Sequence, residues 1–345
     1  MLALVALSRA GARLRVVAVL AVAIQLLPLA APLLLSTDAW TYWSYGRIAA
    51  VHDANPYRDP PADFPDDPSF PYVGAAWRDT TSVYGPAFTL ASEPVALAAG
   101  ESHDAAAWIY KTLAAVAVLV ALVLAARLSP RPVFALAFVG WNPLLAVHFA
   151  GGGHNDAWMA ALVVAAVALA ASGRSVWSGA AWVTAVLVKW VPLAFLPLRA
   201  LAARRAGTRF DHRGFVLAGV LLVGLATARY GLAWLGAFGP LAKNANQETS
   251  YALPHRLQDL GVPRGLALAL FALGLAAAFA FLAREALHGR ARLGLAACAL
   301  MLAAPWLVVW YLVWAVPLAA AEDDRTAQLV TLALGAYLLP QTIPT

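Results

Sequence analysis

Only 12% of the 345 residues are charged, against about a quarter in soluble domains. A chain so poor in charge cannot clothe an ordinary water-facing surface. Cysteine is scarcer still: Cys298 stands alone inside an apolar run, which excludes an internal disulfide. There is no internal repeat and no Gly/Ser-rich linker, so one domain is expected over 1–345. The formal charge of +6 is sorted along the chain rather than gathered for phosphate tracking, which argues against nucleic acid as a partner.

What the sequence has in quantity is apolar length. It is 62% hydrophobic with a mean hydropathy of +0.71, and several runs approach or exceed the roughly 18–20 residues that span a bilayer. The expectation is an all-α polytopic membrane protein with spans near 14–35, 106–127, 132–150, 155–171, 214–236, 263–283, 293–318 and 326–343. The first 35 residues are basic and then apolar. Because more spans follow, they read as a retained first helix and not a cleaved peptide.

Basic residues in short loops set the orientation. Arg9, Arg13 and Arg15, the loops with Arg127, Arg131 and Arg174, and those of 199–213 and 284–292 are placed in the cytoplasm. That side collects 14 Lys/Arg against two acids, Asp211 and Glu285. The other 16 acids are expected outward, the AEDDR turn of 321–325 among them. The stretch 175–199 must then cross an even number of times. Two legs of about 10–14 residues reach only ~15–21 Å, short of a ~30 Å core. A hairpin broken at Lys189 and Pro192 fits this, and a single tilted helix with Lys189 snorkelling is the alternative. With those legs the bundle has about 10 membrane segments. Two outer loops follow, 36–105 and 237–262; in the first, GPAFTLASEPVALAAG reads as an interfacial helix.

Polar residues concentrate on that outer side. In STDAWTYWSYGR (36–47), Asp38 is either a cap, a solvated acid, or a base whose pKa the low-dielectric edge raises. Tyr42 and Arg47 suit a sugar and a phosphate, while Trp40 and Trp43 also fit an interfacial belt. The same loop holds Asn55, Tyr57, Asp79 and Tyr84 beside Asn-Pro and Gly-Pro turns. In GGGHNDAWM, His154, Asn155 and Asp156 open a helix; one of the last two could cap it, and its first amides suit an anion. A metal set of His148, His154 and Asp156 lacks a paired motif, and no metal or other cofactor is assigned. Lys189, Arg229, His255 and Arg256 are cations at the outer edge, fit to neutralise a lipid phosphate, although Arg229 could be a snorkelling anchor. Trp310 and Tyr311 in APWLVVWYLVWAVP suit a belt and a sugar platform equally.

An acid after the first span, an outer loop ending in SVYGP, then WNP…GHND, a K-x-x-P break and a late PW…Y…W…P resemble the GT-C glycosyltransferases. The likeness is to the bacterial polyprenyl-phosphate-mannose-dependent mannosyltransferases, including the α-1,6-mannosyltransferases and glycosyltransferase family 87. The resemblance implies a GT-C-like bundle in the bacterial cytoplasmic membrane, its N-terminus cytoplasmic and its active site extracytoplasmic. It implies transfer of a hexose, mannose, from a polyprenyl-phosphate donor to a glycan or glycolipid acceptor, with inversion. It makes Asp38 the catalytic base and Lys189, with His255 or Arg256, ligands of the donor phosphate. The acid stands in T-D-A-W and not D-x-D, so the resemblance brings no metal with it. A transporter or flippase is the rival class, since broken helices and charges at membrane depth also mark carriers; the 70-residue outer loop and missing repeat count against it. A non-catalytic envelope scaffold is a third.

Overall fold

A computed structural model describes residues 14–207, 212–240 and 247–342, and every regular element among them is helical. Arg9, Arg13, Arg209, Asp211 and residues 241–246 of the second outer loop lie outside the described residues. Three helices have the length and apolar character to cross a membrane: His103–Leu128, His212–Pro240 and Arg264–Leu287. The pair Pro132–Gly140 and Pro143–Gly151, bent by 50°, makes a fourth if counted as one span. The chain is a helical membrane protein.

In chain order the helices are α1 (Leu14–Leu26), α2 (Asp38–Ala50), α3 (Pro86–Ala99), α4 (His103–Leu128), α5 (Pro132–Gly140), α6 (Asp156–Ala171) and α7 (Ser175–Val188). They continue as α8 (Leu196–Arg205), α9 (His212–Tyr230), α10 (Leu253–Asp259), α11 (Arg264–Leu287), α12 (Leu293–Ala303), α13 (Val316–Ala321) and α14 (Arg325–Leu338). The hub is α4. Ser102 caps it by accepting from the Ala105 amide, Asp104 and Arg127 complement its dipole, and Ala106, Tyr110, Ala114, Val118, Ala121 and Ala125 form a buried stripe. Small residues on that stripe let α1, α5 and α6 pack closely around it.

Proline and glycine break most of the other crossings, and the breaks gather at one end. After α5, a turn at Pro143 passes into a π-helical turn, Ala146–Gly151, before α6 begins. After α7, Lys189 is extended (φ −153°, ψ 138°) and a 3₁₀ turn carries Pro192 into α8. The break expected at Lys189 is present. A Cβ on Gly85 would collide with the Leu187 carbonyl, so the YGP turn seats against the end of α7 only because position 85 has no side chain. The expected helix over 85–100 forms as α3, half buried against α2, where Gly46 lets the Ser92 carbonyl approach.

Two sequence expectations fail. The run 293–318 was expected to be one span; it is two short helices, α12 and α13, separated by Ala304–Val308 and a 3₁₀ turn over Val309–Trp314. Consequently AEDDR does not lie opposite the arginine-rich loops. Asp323 pairs with Arg131, Asp324 with Arg292 (2.7 Å), and Glu322 accepts from the Leu293 and Gly294 amides at the start of α12. The expectation put these acids on the outer side or at its boundary. Here they cross to the basic end because paired partners and uncapped amides hold them there.

Candidate active site

The approach to Asp38 is fixed before the residue is reached. Behind α1 the chain tightens into a 3₁₀ turn, Leu27–Ala30, at Pro28. The buried Lys111 of α4 donates to the carbonyls of Leu29 (3.2 Å), Ala31 and Pro32 (3.4 Å) at this helix end. The Leu34 amide then bonds the Gly151 carbonyl (3.0 Å), tying the segment to the π-helical turn. Asp38 opens α2, its amide donating to Ser36 Oγ.

The Asp38 side chain keeps 14% of its surface exposed, whereas His154 behind it has none. His154 Nδ1 lies 3.1 Å from Asp38 Oδ2, and the Tyr42 hydroxyl reaches the same oxygen at 3.4 Å. Oδ1 takes neither bond. A carboxylate only accepts, so the imidazole proton sits on Nδ1. Tyr42 also lies 3.5 Å from Asn155 Oδ1. Burial raises the Asp38 pKa, but His154 and the Lys189 charge outweigh it and hold the carboxyl below its usual value. The membrane edge was expected to raise it; charged neighbours win instead. Burial, with Tyr84 and Asp38 nearby, pushes the Tyr42 hydroxyl well up, so it stays a donor.

A second pair stands across the pocket. Lys189 Nζ donates to Asp156 Oδ2 at 2.7 Å, and Trp314 Nε1 donates to Asp156 Oδ1 at 2.6 Å. Asp156 is fully buried. Neither it nor Asn155 caps α6 through its side chain. Tyr311 stacks on Trp314 at 3.9 Å and lies 5.4 Å beneath Lys189 Nζ. Trp310 stacks on His154 at 3.8 Å with an interplanar angle of 13°. Between these groups is a pocket of about 310 Å³, lined by Asp38, Tyr84, Lys189, Trp310, Tyr311 and Trp314, with Trp77, Trp190 and Trp306 completing its walls. Carboxylate, amine and aromatic faces there can hold a sugar and an anion together.

Other sequence candidates fall outside this pocket. Arg47 is buried and bonds both oxygens of Asp67 at 2.9 Å, with His52 and Ser69 on the same carboxylate. Asn55 donates to the Tyr230 carbonyl and Tyr57 to the Tyr84 carbonyl, which fastens the first loop. Asp79 is exposed on that loop. Arg229 is held between Asp53 and Glu93. His255 meets Glu248, and Arg256 meets Asp259 and Tyr337, so both fasten the segment after residue 247. Among the described residues no three metal-ligating side chains converge, and Asp156 is committed to Lys189.

Sequence reasoning passed over Lys111, and it read Trp314 only as part of the aromatic belt or sugar platform of 304–317. Lys111 breaks a long apolar run, the signal that drew attention to Lys189. The bond from Trp314 to Asp156 was not readable, since it appears only when the turn over Val309–Trp314 folds back towards α6.

Fold and site together define a class: a helical membrane protein whose interrupted spans bring an acid, a histidine and a lysine to one aromatic-walled pocket. The chain belongs to the alpha-(1->6)-mannopyranosyltransferase family, whose N-terminal domain model matches residues 1–205. It is 34% identical over 160 residues to alpha-(1->6)-mannopyranosyltransferase A of Mycobacterium tuberculosis (strain H37Rv), covering 42% of this chain and 30% of that protein. To alpha-(1->6)-mannopyranosyltransferase A of Corynebacterium glutamicum it is 30% identical over 152 residues, covering 43% of this chain and 30% of that one. The matches thus span less than a third of either relative's length. No solved structure matches the chain. Asp38, His154, Asp156 and Lys189 fall inside the matched family domain; the wall carrying Trp310 and Trp314 lies beyond it.

Proposed function

We propose that the protein transfers mannose from a polyprenyl-phosphate donor to an extracytoplasmic glycan or glycolipid acceptor, inverting the anomeric centre, with Asp38 as the base. The observation that carries this is the carboxylate of Asp38, which lines the pocket with Oδ2 held by His154 and Tyr42 while Lys189 lines the same space. The relatives' names supply the sugar.

In this scheme the acceptor hydroxyl gives its proton to Asp38 as its oxygen bonds the anomeric carbon. The bond from that carbon to the phosphate oxygen breaks, and polyprenyl phosphate leaves with the electron pair. General-base help of this kind contributes about 10²–10⁴-fold. Charge grows on the departing phosphate, so Lys189 stabilises the transition state more than the ground state. Tyr311 and Trp310 offer faces for the sugar. An apolar groove of about 390 Å³ beside Leu270, Phe271, Leu275 and Leu302 would give the prenyl chain a bed; its lining includes Ala303, next in the chain to Ala304 of the pocket wall. In this scheme the protein lies in the bacterial cytoplasmic membrane in about ten segments, with the pocket outward and the arginine-rich end inward. Arg229, His255 and Arg256 brace the outer loops in this scheme and do not bind phosphate.

The test is incubation of membranes carrying the protein with labelled polyprenyl-phosphate-mannose. Labelled glycan is expected from the native chain, and none from Asp38→Asn, which should remain folded and bind donor. Near-normal turnover by that variant removes Asp38 as base, and vesicle uptake without labelled product selects a carrier instead.

A further inference from the structure

The charges at the pocket do not balance for an anionic guest. Among the described residues, its charged lining groups are Asp38 and Lys189, and Lys189 already neutralises the buried Asp156. With His154 neutral the set carries one excess negative charge, and a phosphodiester brings another. Two negative charges in a partly buried pocket are screened far less than in water and repel. A further positive charge is required.

We infer that the Asp38–His154 pair takes up one proton when a lipid-linked phosphodiester enters, so that an imidazolium ion supplies that charge. The inference rests on the donor class proposed above. Two further observations support it. The face of His154 lies flat on Trp310 at 3.8 Å, an arrangement that attracts a cation. His154 Nε2 is buried without a partner, and so are both ring nitrogens of His148, whose ring centre is 5.9 Å away. Unpaired nitrogens on two facing buried imidazoles are costly. Two of the three are paired if one His148 nitrogen is the acceptor, directly or through one water, for the N–H that His154 gains at Nε2.

The surrounding ionisable groups are compatible with this. From α2 come Asp38, bonded to Nδ1, and Tyr42; from α6 comes Asp156, committed to Lys189; from the 3₁₀ turn over Val309–Trp314 comes Tyr311. On α4, the Lys111 amine is directed to the carbonyls of Leu29, Ala31 and Pro32, and Tyr110 is buried beside it. The proton enters from water with the donor and returns to water when polyprenyl phosphate departs. The proton from the acceptor hydroxyl is a separate one, and it goes to Asp38.

Calorimetry on the full-length protein in lipid nanodiscs tests this, with a short-chain polyprenyl-phosphate-mannose titrated in two buffers of different ionisation enthalpy. The expected result is about one proton taken up per donor at mildly alkaline pH, with affinity weakening about tenfold per pH unit over the linked range. His154→Asn should bind without uptake and lose the pH slope, and His148→Phe should lower the uptake. Donor binding by the native chain with no proton uptake overturns the inference and leaves the mannosyltransferase reading standing. Uptake that persists unchanged in His154→Asn overturns it as well. Failure of the native chain to bind the donor at any pH sinks both, and should either variant fail to fold, the native proton count decides alone.

Discussion

Replacing Asp156 by Asn isolates the electrostatics of the pocket floor. The side chain is fully buried and its Oδ2 lies 2.7 Å from Lys189 Nζ. At an effective dielectric constant of about 20 the attraction is roughly 6 kcal/mol, much of it offset by the cost of burying both charges. Asn still accepts from Trp314 Nε1, so the packing there survives. What remains is a stranded ammonium with 19% of its side chain exposed, and removing one partner of a buried pair costs about 3–5 kcal/mol. Adding Lys189→Met removes the stranded charge, so the double variant should regain about 2–3 kcal/mol of that loss, the upper part of the roughly 0.5–3 kcal/mol seen for coupled neighbours. Equilibrium unfolding in detergent of the native chain, both single variants and the double variant measures the cycle. A loss below about 0.5 kcal/mol for Asp156→Asn, or additive single effects, refutes the reasoning.

Lys189→Ala should lower kcat/KM for the lipid donor by at least about tenfold, one charge-assisted contact, with the loss falling mainly on kcat and less effect on folding; lost expression with unchanged kinetics would make the lysine structural. Lys111→Met strands the carbonyls of Leu29, Ala31 and Pro32 and should cost at least about 2 kcal/mol in the same unfolding assay. Arg should not rescue it in a site shaped to one amine, and native stability of either variant would remove the clamp. Burial raises the Asp67 pKa, but the hydrogen bonds from Arg47 and Ser69 outweigh it and lower the carboxyl to about 2 from 3.8. A depressed acid stabilises above its unfolded pKa, so this contribution is intact above about pH 4 and lost as pH falls towards about 2. Proteolysis of the 52–82 segment should therefore rise across that window, and Asp67→Asn should flatten the rise.

The class of fold was legible because a membrane imposes long apolar runs that composition alone reveals. The break at Lys189 was legible too, since two basic flanks demand an even number of crossings. The second break, at Ala304–Val308, was hidden: WLVVWY is apolar enough to pass for helix, and only Pro305 and Pro317 signal the interruption. The same limit applies to α2, buried on nearly every side, which leaves no helical periodicity to detect. In the site, residue types located Asp38, His154, Asp156, Lys189, Trp310 and Tyr311. Their pairing could not be read, because whether Asp156 faces a sugar or a lysine depends on segments 33 positions apart. Arg47, Asn55 and Arg229 carried the right chemistry for substrate and serve the scaffold instead, each satisfied by a protein partner.

At the far end of the bundle, Glu322 covers the first amides of α12 while its neighbours Asp323 and Asp324 grip Arg131 and Arg292. Three stretches far apart in the chain are thus latched by one tripeptide. Deleting the chain from residue 322 onward would do more than shorten the protein: it would unfasten the first turn of α12, whose other end leads into the pocket wall.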